Sequence, residues 1–174
     1  MATTITFKTD ADLNLYPAPV VISGPESYDM PHRSYVLVED DDCTCRLFEI
    51  RHDVHYSPFK QAAITGHLLA VGFEKYFYLF DTLAVKTVAR VYMDGYFGYF
   101  YEEGNLFYVA DATSLYCINY NGNIVWRSAS LGIDGVIVND IEEDKIYGSG
   151  EWDPPGGWRD FVLDKHTGTL LTEL

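Results

Sequence analysis

The sequence reads as an all-β protein of four antiparallel, blade-like repeats, each about 40 residues long. Three observations carry this. Apolar and aromatic residues alternate in short runs bounded by Gly, Asn and Asp, the pattern of strands covered on one face. No window holds a sustained i, i+3, i+4, i+7 stripe, so amphipathic helices are not expected. The segment from Asp94 aligns with the segment from Asp134; each opens on Asp-Gly, passes an acidic turn and closes on a Gly-containing turn.

The elements follow in chain order. Asp10-x-Asp12-x-Asn14 begins like a calcium loop, but Leu15 stands where Gly is needed and Val21 where a bidentate carboxylate is needed. A solvated opening segment is expected instead. The first repeat is the most eroded: Tyr35 to Val38, the acidic turn Asp40-Asp41-Asp42, then Arg46 to Ile50. The second runs His67 to Gly72, Tyr76 to Asp81 and Val85 to Val91. In the third, the aromatic run Tyr96, Phe97, Tyr99, Phe100 and Tyr101 precedes Glu102-Glu103-Gly104-Asn105, and Asn121-Gly122 joins two further strands. Asn-Gly supplies the positive φ that a two-residue hairpin turn requires. The fourth repeat has Glu142-Glu143-Asp144-Lys145 at the acidic turn and His166-Thr167-Gly168 at the later one. Such a repeat has the size of one propeller blade, and one sheet cannot cover its own apolar faces. The copies must therefore stack, as a small β-propeller or a half-propeller, in one domain spanning 1–174.

The run Leu115-Tyr116-Cys117-Ile118-Asn119-Tyr120-Asn121-Gly122-Asn123-Ile124-Val125-Trp126 resembles the repeat of quinoprotein-like and WD40-like β-propellers. There, a strand reading roughly L-Y-A-L-D leads into a T-G turn and a docking Trp. Phe161 to Leu171 is similar, with Leu171 in place of that Trp. The resemblance covers about residues 34–171 and is most specific in the last two copies. It implies propeller architecture and a structural docking role for Trp126.

Composition narrows the function. Twenty-six acidic against twelve basic residues give a formal charge of −14, which disfavours a nucleic-acid-binding surface. No apolar run is long enough to span a membrane, and the opening residues carry no basic region followed by an apolar stretch. Three cysteines, Cys43, Cys45 and Cys117, are too few and too unevenly spaced for a disulfide scaffold, so a reducing cytoplasmic setting is expected. Nucleophile-elbow, zincin, C-x-x-C and phosphate-loop motifs are absent. Cys43, Cys45, His52 and His55 are ligand types zinc accepts, but a C-x-C bite is awkward, and ordinary strand residues are the better reading. Neither catalytic residues, nor a cofactor, nor a metal is assigned.

Two features point to a partner. Asp40, Asp41 and Asp42, Glu102 and Glu103, and Glu142, Glu143 and Asp144 stand in turns that the alignment makes equivalent. On one rim they would build a negative potential that attracts a basic partner. The segment Glu151-Trp152-Asp153-Pro154-Pro155-Gly156-Gly157-Trp158-Arg159-Asp160 interrupts the last repeat as a loop carrying residue types common in interface hot spots. Either tryptophan could equally close the fold. The expected function is an acidic, non-enzymatic protein-binding module: an immunity protein that occludes the active site of a basic bacterial toxin, such as a nuclease. The competing expectation is a carbohydrate or small-ligand propeller whose pocket is lined by Asp94 and Asp134. Exposed edge strands would favour a homodimer or capping by the partner.

Overall fold

The structure, a computed structural model, describes residues 3–9, 13–41, 44–53, 57–153 and 156–173. Among them, sixteen strands form four four-stranded sheets. The first contains β1 (Thr3–Lys8), β2 (Val20–Val21), β3 (His32–Asp40) and β4 (Cys45–His52), in the order β1-β3-β4-β2. The second contains β5 (Lys60–Thr65), β6 (Leu68–Phe73), β7 (Tyr76–Asp81) and β8 (Lys86–Tyr92). The third contains β9 (Phe97–Glu103), β10 (Leu106–Asp111), β11 (Leu115–Asn119) and β12 (Ile124–Arg127). The fourth contains β13 (Val136–Ile141), β14 (Lys145–Glu151), β15 (Trp158–Asp164) and β16 (Leu170–Glu173). In the last three sheets neighbouring strands are consecutive in the chain, as short turns require. No helix among the described residues is long and apolar enough to cross a membrane.

The first sheet departs from expectation in two ways. Thr3–Lys8, which the sequence pattern assigns to no repeat, is a strand, paired antiparallel with β3 from Thr3 opposite Asp40 to Lys8 opposite Tyr35. Its β-branched, alternating composition suits an edge position. The fourth strand, β2, comes from upstream of β3 and runs parallel to β4, Val20 opposite Phe48. The acidic Asp10 and Asp12 of the calcium-like stretch lie outside the described residues.

The chain divides into two compact units. One comprises Met1–Ser57, Ala62–Val71 and Tyr78–Arg90. Within it, Val36, Val38, Phe48 and Ile50 are buried, and Phe48 meets Phe80 edge-on at 5.7 Å. Strand alternation turns Tyr35, Leu37 and Leu47 to the other face, where Tyr16 covers them. Lys8 in turn lies 5.5 Å from the centre of the Tyr16 ring.

The other unit comprises Pro58–Gln61, Gly72–Phe77 and Val91–Leu174. Its core joins Tyr108, Leu115, Cys117 and Trp126 to Val136, Ile146, Phe161 and Leu163. Phe77 and Phe100 meet edge-on at 5.5 Å, and Phe100 and Phe107 at 5.8 Å. Gly72 is required beside them, since a Cβ there would fall 2.0 Å from the Phe97 ring. Trp126 donates its indole N–H to the Lys165 carbonyl at 3.0 Å and lies on Gly168. The third sheet is thereby docked onto the Thr-Gly turn of the fourth.

Candidate functional site

The acidic turns do not all occupy equivalent places. Glu102 and Glu103 end β9, and Glu142, Glu143 and Asp144 follow β13, in each case between the first and second strands of the sheet. Asp40 ends β3 and Asp41 follows it, between the second and third strands of theirs. The first acidic turn therefore joins a different pair of sheet positions from the other two, and the alignment-based equivalence does not hold at the level of sheet topology. Asp42 lies outside the described residues. Asp40 is engaged locally: Thr3 Oγ1 donates to it at 3.0 Å, and Arg46 lies at 3.4 Å.

The other two turns do meet. Lys165 Nζ sits 2.6 Å from Glu103 Oε2 and donates to the Glu142 carbonyl at 2.8 Å. Tyr120 donates its hydroxyl to Glu102, Tyr147 donates to Glu142 at 3.2 Å, and His166 lies 3.2 Å from Asp144. This end of the unit is acidic but contains its own cations. It is held by internal pairing, which leaves less field for a partner than the bare count of carboxylates implies.

The tryptophan loop splits. Trp158 and Arg159 are neighbours in β15, and alternation sends them to opposite faces. Arg159 lies 5.7 Å from the centre of the Trp152 ring, beside Leu131 and Phe161, so this pair closes over the shared core. Trp152 N–H donates to Gly157 O, Gly157 N–H donates to Asp153 O, and Gly156 N–H donates to Glu151 Oε1 at 2.7 Å. These bonds tie the loop down; Pro154 and Pro155 lie outside the described residues.

Trp158 faces a groove of about 310 Å³. Tyr96 enters it from just before β9, Tyr99 from β9, Asp134 from just before β13, Glu151 from the end of β14, and Phe59 from just before β5. Three backbone features converge the key groups. Glu151 is the direct cross-strand partner of Trp158. The Glu151 N–H donates to Gly135 O at 2.9 Å. A Cβ on Gly135 would come 3.1 Å from the Trp158 ring, so the indole lies over the backbone next to Asp134. Phe59 stacks on Tyr96 at 5.4 Å, and Tyr96 donates its hydroxyl to the Asp134 carbonyl at 2.8 Å. Trp158 is 43% exposed and Tyr99 51%, so much aromatic area faces solvent.

The groove is negative. Among the described residues, none that lines it carries a positive charge. Burial, reinforced by Asp134, Glu151 and Asp111, pushes the Tyr96 hydroxyl up to about 12. Asp111, fully buried, is committed inward: it accepts from the Thr113 and Ser114 amides at 2.7 and 2.6 Å and from the Asp94 amide at 2.9 Å. Asp134, exposed, and Glu151, half-buried, are the other carboxylate residues that line the groove.

The sequence singled out Glu151, Trp158 and Asp134 for separate reasons, and the fold brings these three together. Asp94 is not among the groove residues; its carboxylate lies 3.0 Å from Arg127. Phe59 was missed, having no signal beyond an aromatic after a proline, while Tyr96 and Tyr99 were legible only as an alternating aromatic run. His52 accepts or donates a hydrogen bond with Ser34 Oγ at 3.0 Å, and both are buried. Cys43 and His55 lie outside the described residues.

No family profile matches the chain, and no curated protein resembles it in sequence. Similar solved structures exist. BamB from Moraxella catarrhalis aligns at 14% identity with a TM-score of 0.54, covering 79% of this chain and 43% of that one. The computationally designed Ika8 protein aligns at 13% identity with a TM-score of 0.53, covering 80% and 46%. The Neurospora crassa Pan2 WD40 domain aligns at 16% identity with a TM-score of 0.51, covering 68% and 37%. The chain thus spans less than half the length of each. Together with the four sheets, these likenesses define a fold of WD40-type propeller blades.

Proposed function

We propose that this chain is a non-catalytic protein-binding module whose partner presents a basic surface. In its fullest form the reading is an immunity protein that neutralises a basic bacterial toxin, a nuclease for example, by occluding its active site. The observation that carries it is the groove of the second unit, where exposed aromatic area and the carboxylates of Asp134 and Glu151 meet with no lining cation. The net charge of −14 adds long-range attraction to such a partner. Free Cys45 and Cys117 accord with a reducing cytoplasm. The quinoprotein-like character of the repeat belongs to the same proposal and rests on the docking of Trp126 at Gly168.

Co-expression with basic toxin domains encoded beside it, followed by co-purification at low and high salt, tests the reading. A complex that weakens with salt is expected; no complex with any basic neighbour overturns it. A homodimer would have to use strands at the sheet edges, among them β8 of seven residues and β12 and β16 of four each. Sedimentation of the isolated chain separates this from a complex. The second reading, a carbohydrate site, is favoured by the same aromatics, since sugars stack on such faces. A thermal shift with a neutral oligosaccharide, absent with basic proteins, would support it instead.

A further inference from the structure

We propose that the groove of the second unit receives an arginine side chain of the partner, its guanidinium stacked on Trp158 and paired with Asp134 and Glu151. This rests on the basic-partner reading above and specifies the chemistry of the contact. The occupant follows from charge complementarity: the carboxylate residues Asp134 and Glu151 line the groove beside a half-exposed indole, and among the described residues no cation lines it. An anion or phosphate would meet only repulsion, and a purely apolar segment would desolvate both carboxylates without compensation. Arginine suits the geometry better than lysine. Its planar, weakly hydrated fork can lie flat on an aromatic face while its edge donates to carboxylates, whereas an ammonium is a strongly hydrated point charge.

The site is preorganised by backbone. Trp158 and Glu151 are held opposite each other by the β14–β15 register, and the indole is seated over Gly135, next to Asp134. One Glu151 oxygen is steadied by the Gly156 amide at 2.7 Å. Tyr96, anchored to the Asp134 carbonyl at 2.8 Å and stacked on Phe59, supplies apolar wall for the methylene stem. Arg159, the cation nearest in sequence, is turned away onto Trp152 and does not fill the position itself.

The test titrates the folded protein with three blocked tripeptides, acetyl-Ala-Xaa-Ala-amide with Xaa as arginine, lysine or citrulline, following the Trp158 indole N–H by NMR. The arginine peptide is expected to shift that resonance and to bind about fivefold or more tighter than the lysine peptide, with the neutral citrulline peptide weakest. Asp134→Asn combined with Glu151→Gln should weaken the arginine peptide by about tenfold or more, with the melting temperature unchanged or raised because two like charges are lost. Trp158→Ala should abolish binding with the core intact by near-UV circular dichroism. Citrulline binding as well as arginine, binding unaffected by the double substitution, or no Trp158 shift at millimolar peptide each overturns the proposal. The double variant is also taken through co-purification. A basic partner retained by it, with the arginine peptide inert, removes the groove and leaves the basic-partner reading standing. No basic partner for the unmodified chain removes that reading, whatever the peptides do.

Discussion

Cys117 shows how one position is governed by its surroundings. It is 1% exposed in the core of the second unit, and burial pushes its thiol up to about 11. The thiolate is the reactive species, so the side chain should be chemically silent. Iodoacetamide labelling at pH 8, read by peptide mapping, is expected to leave Cys117 unmodified in the folded protein and to modify it in denaturant. Labelling at comparable rates in both states would contradict the buried placement. Asp111 is the polar counterpart. Its carboxylate is fully buried yet accepts three backbone amides, those of Thr113, Ser114 and Asp94, so the desolvation cost is offset by hydrogen bonds aimed at it. A composition count sees both residues only as one thiol and one acid.

At the scale of strands and turns, the repeat uses one device three times. The residue ending the third strand, Asp81, Asn119 or Asp164, turns its side-chain oxygen onto amides of the following turn. Thr167, through its hydroxyl and then its amide, holds the Asp164 carboxyl below its ordinary value, and the Ala84 amide leads the same effect at Asp81. Since the folded values are depressed, this stabilisation is present above the ordinary carboxylate pKa and lost as pH falls through the folded value. Asp164→Asn keeps an acceptor but loses the charge. Its melting temperature should lie below that of the parent at neutral pH, and the gap should close as pH falls through the depressed folded value of Asp164. A gap that persists unchanged in acid would mean the charge is not what matters. The docking contact gives a second prediction. Trp126→Ala should cost about 3–5 kcal/mol in denaturant unfolding, from lost burial and the cavity left behind. Gly168→Ala meets both a φ of 69° and the Trp126 ring 2.3 Å from the new Cβ. It should cost about 1–3 kcal/mol, less in the Trp126→Ala background, where only the backbone strain remains.

For the molecule as a whole, the boundary between the two units falls within the strands of the second sheet. Each of β5, β6, β7 and β8 contributes residues to both. Neither unit has a complete second sheet of its own, so independent unfolding would break strands mid-length. One cooperative transition is expected, with tryptophan fluorescence and far-UV circular dichroism giving the same midpoint. Two separated midpoints would show that the units unfold on their own. At a net charge of −14 the compact state also repels itself, so raising salt from low to near-physiological should raise that midpoint.

Much of this could be read from the chain alone. The four blade-like repeats, a hairpin at Asn121-Gly122, the Thr-Gly turn and the docking role of Trp126 depend on residues a few positions apart, and alternation or turn chemistry writes such relations directly into sequence. The hairpin itself runs from Asn119 to Ile124 with positive φ at Gly122 and not at Asn121, so it is not the two-residue primed turn the sequence suggests. The prominence of Trp158 and Glu151 was legible for the same reason. Other relations needed the folded chain. The alignment put Asp40 and Asp41 in register with acidic turns that join a different pair of sheet positions, because β1 takes the place before β3 in the first sheet. Trp152 and Trp158, alike on paper, part ways: one closes over the core with Arg159, and the other opens onto Asp134. Phe59, Tyr96, Asp134, Glu151 and Trp158 are spread over about a hundred residues, and only stacked sheets bring them to one groove. Local periodicity specifies which face a side chain takes, but which side chains then meet is settled by packing between distant strands.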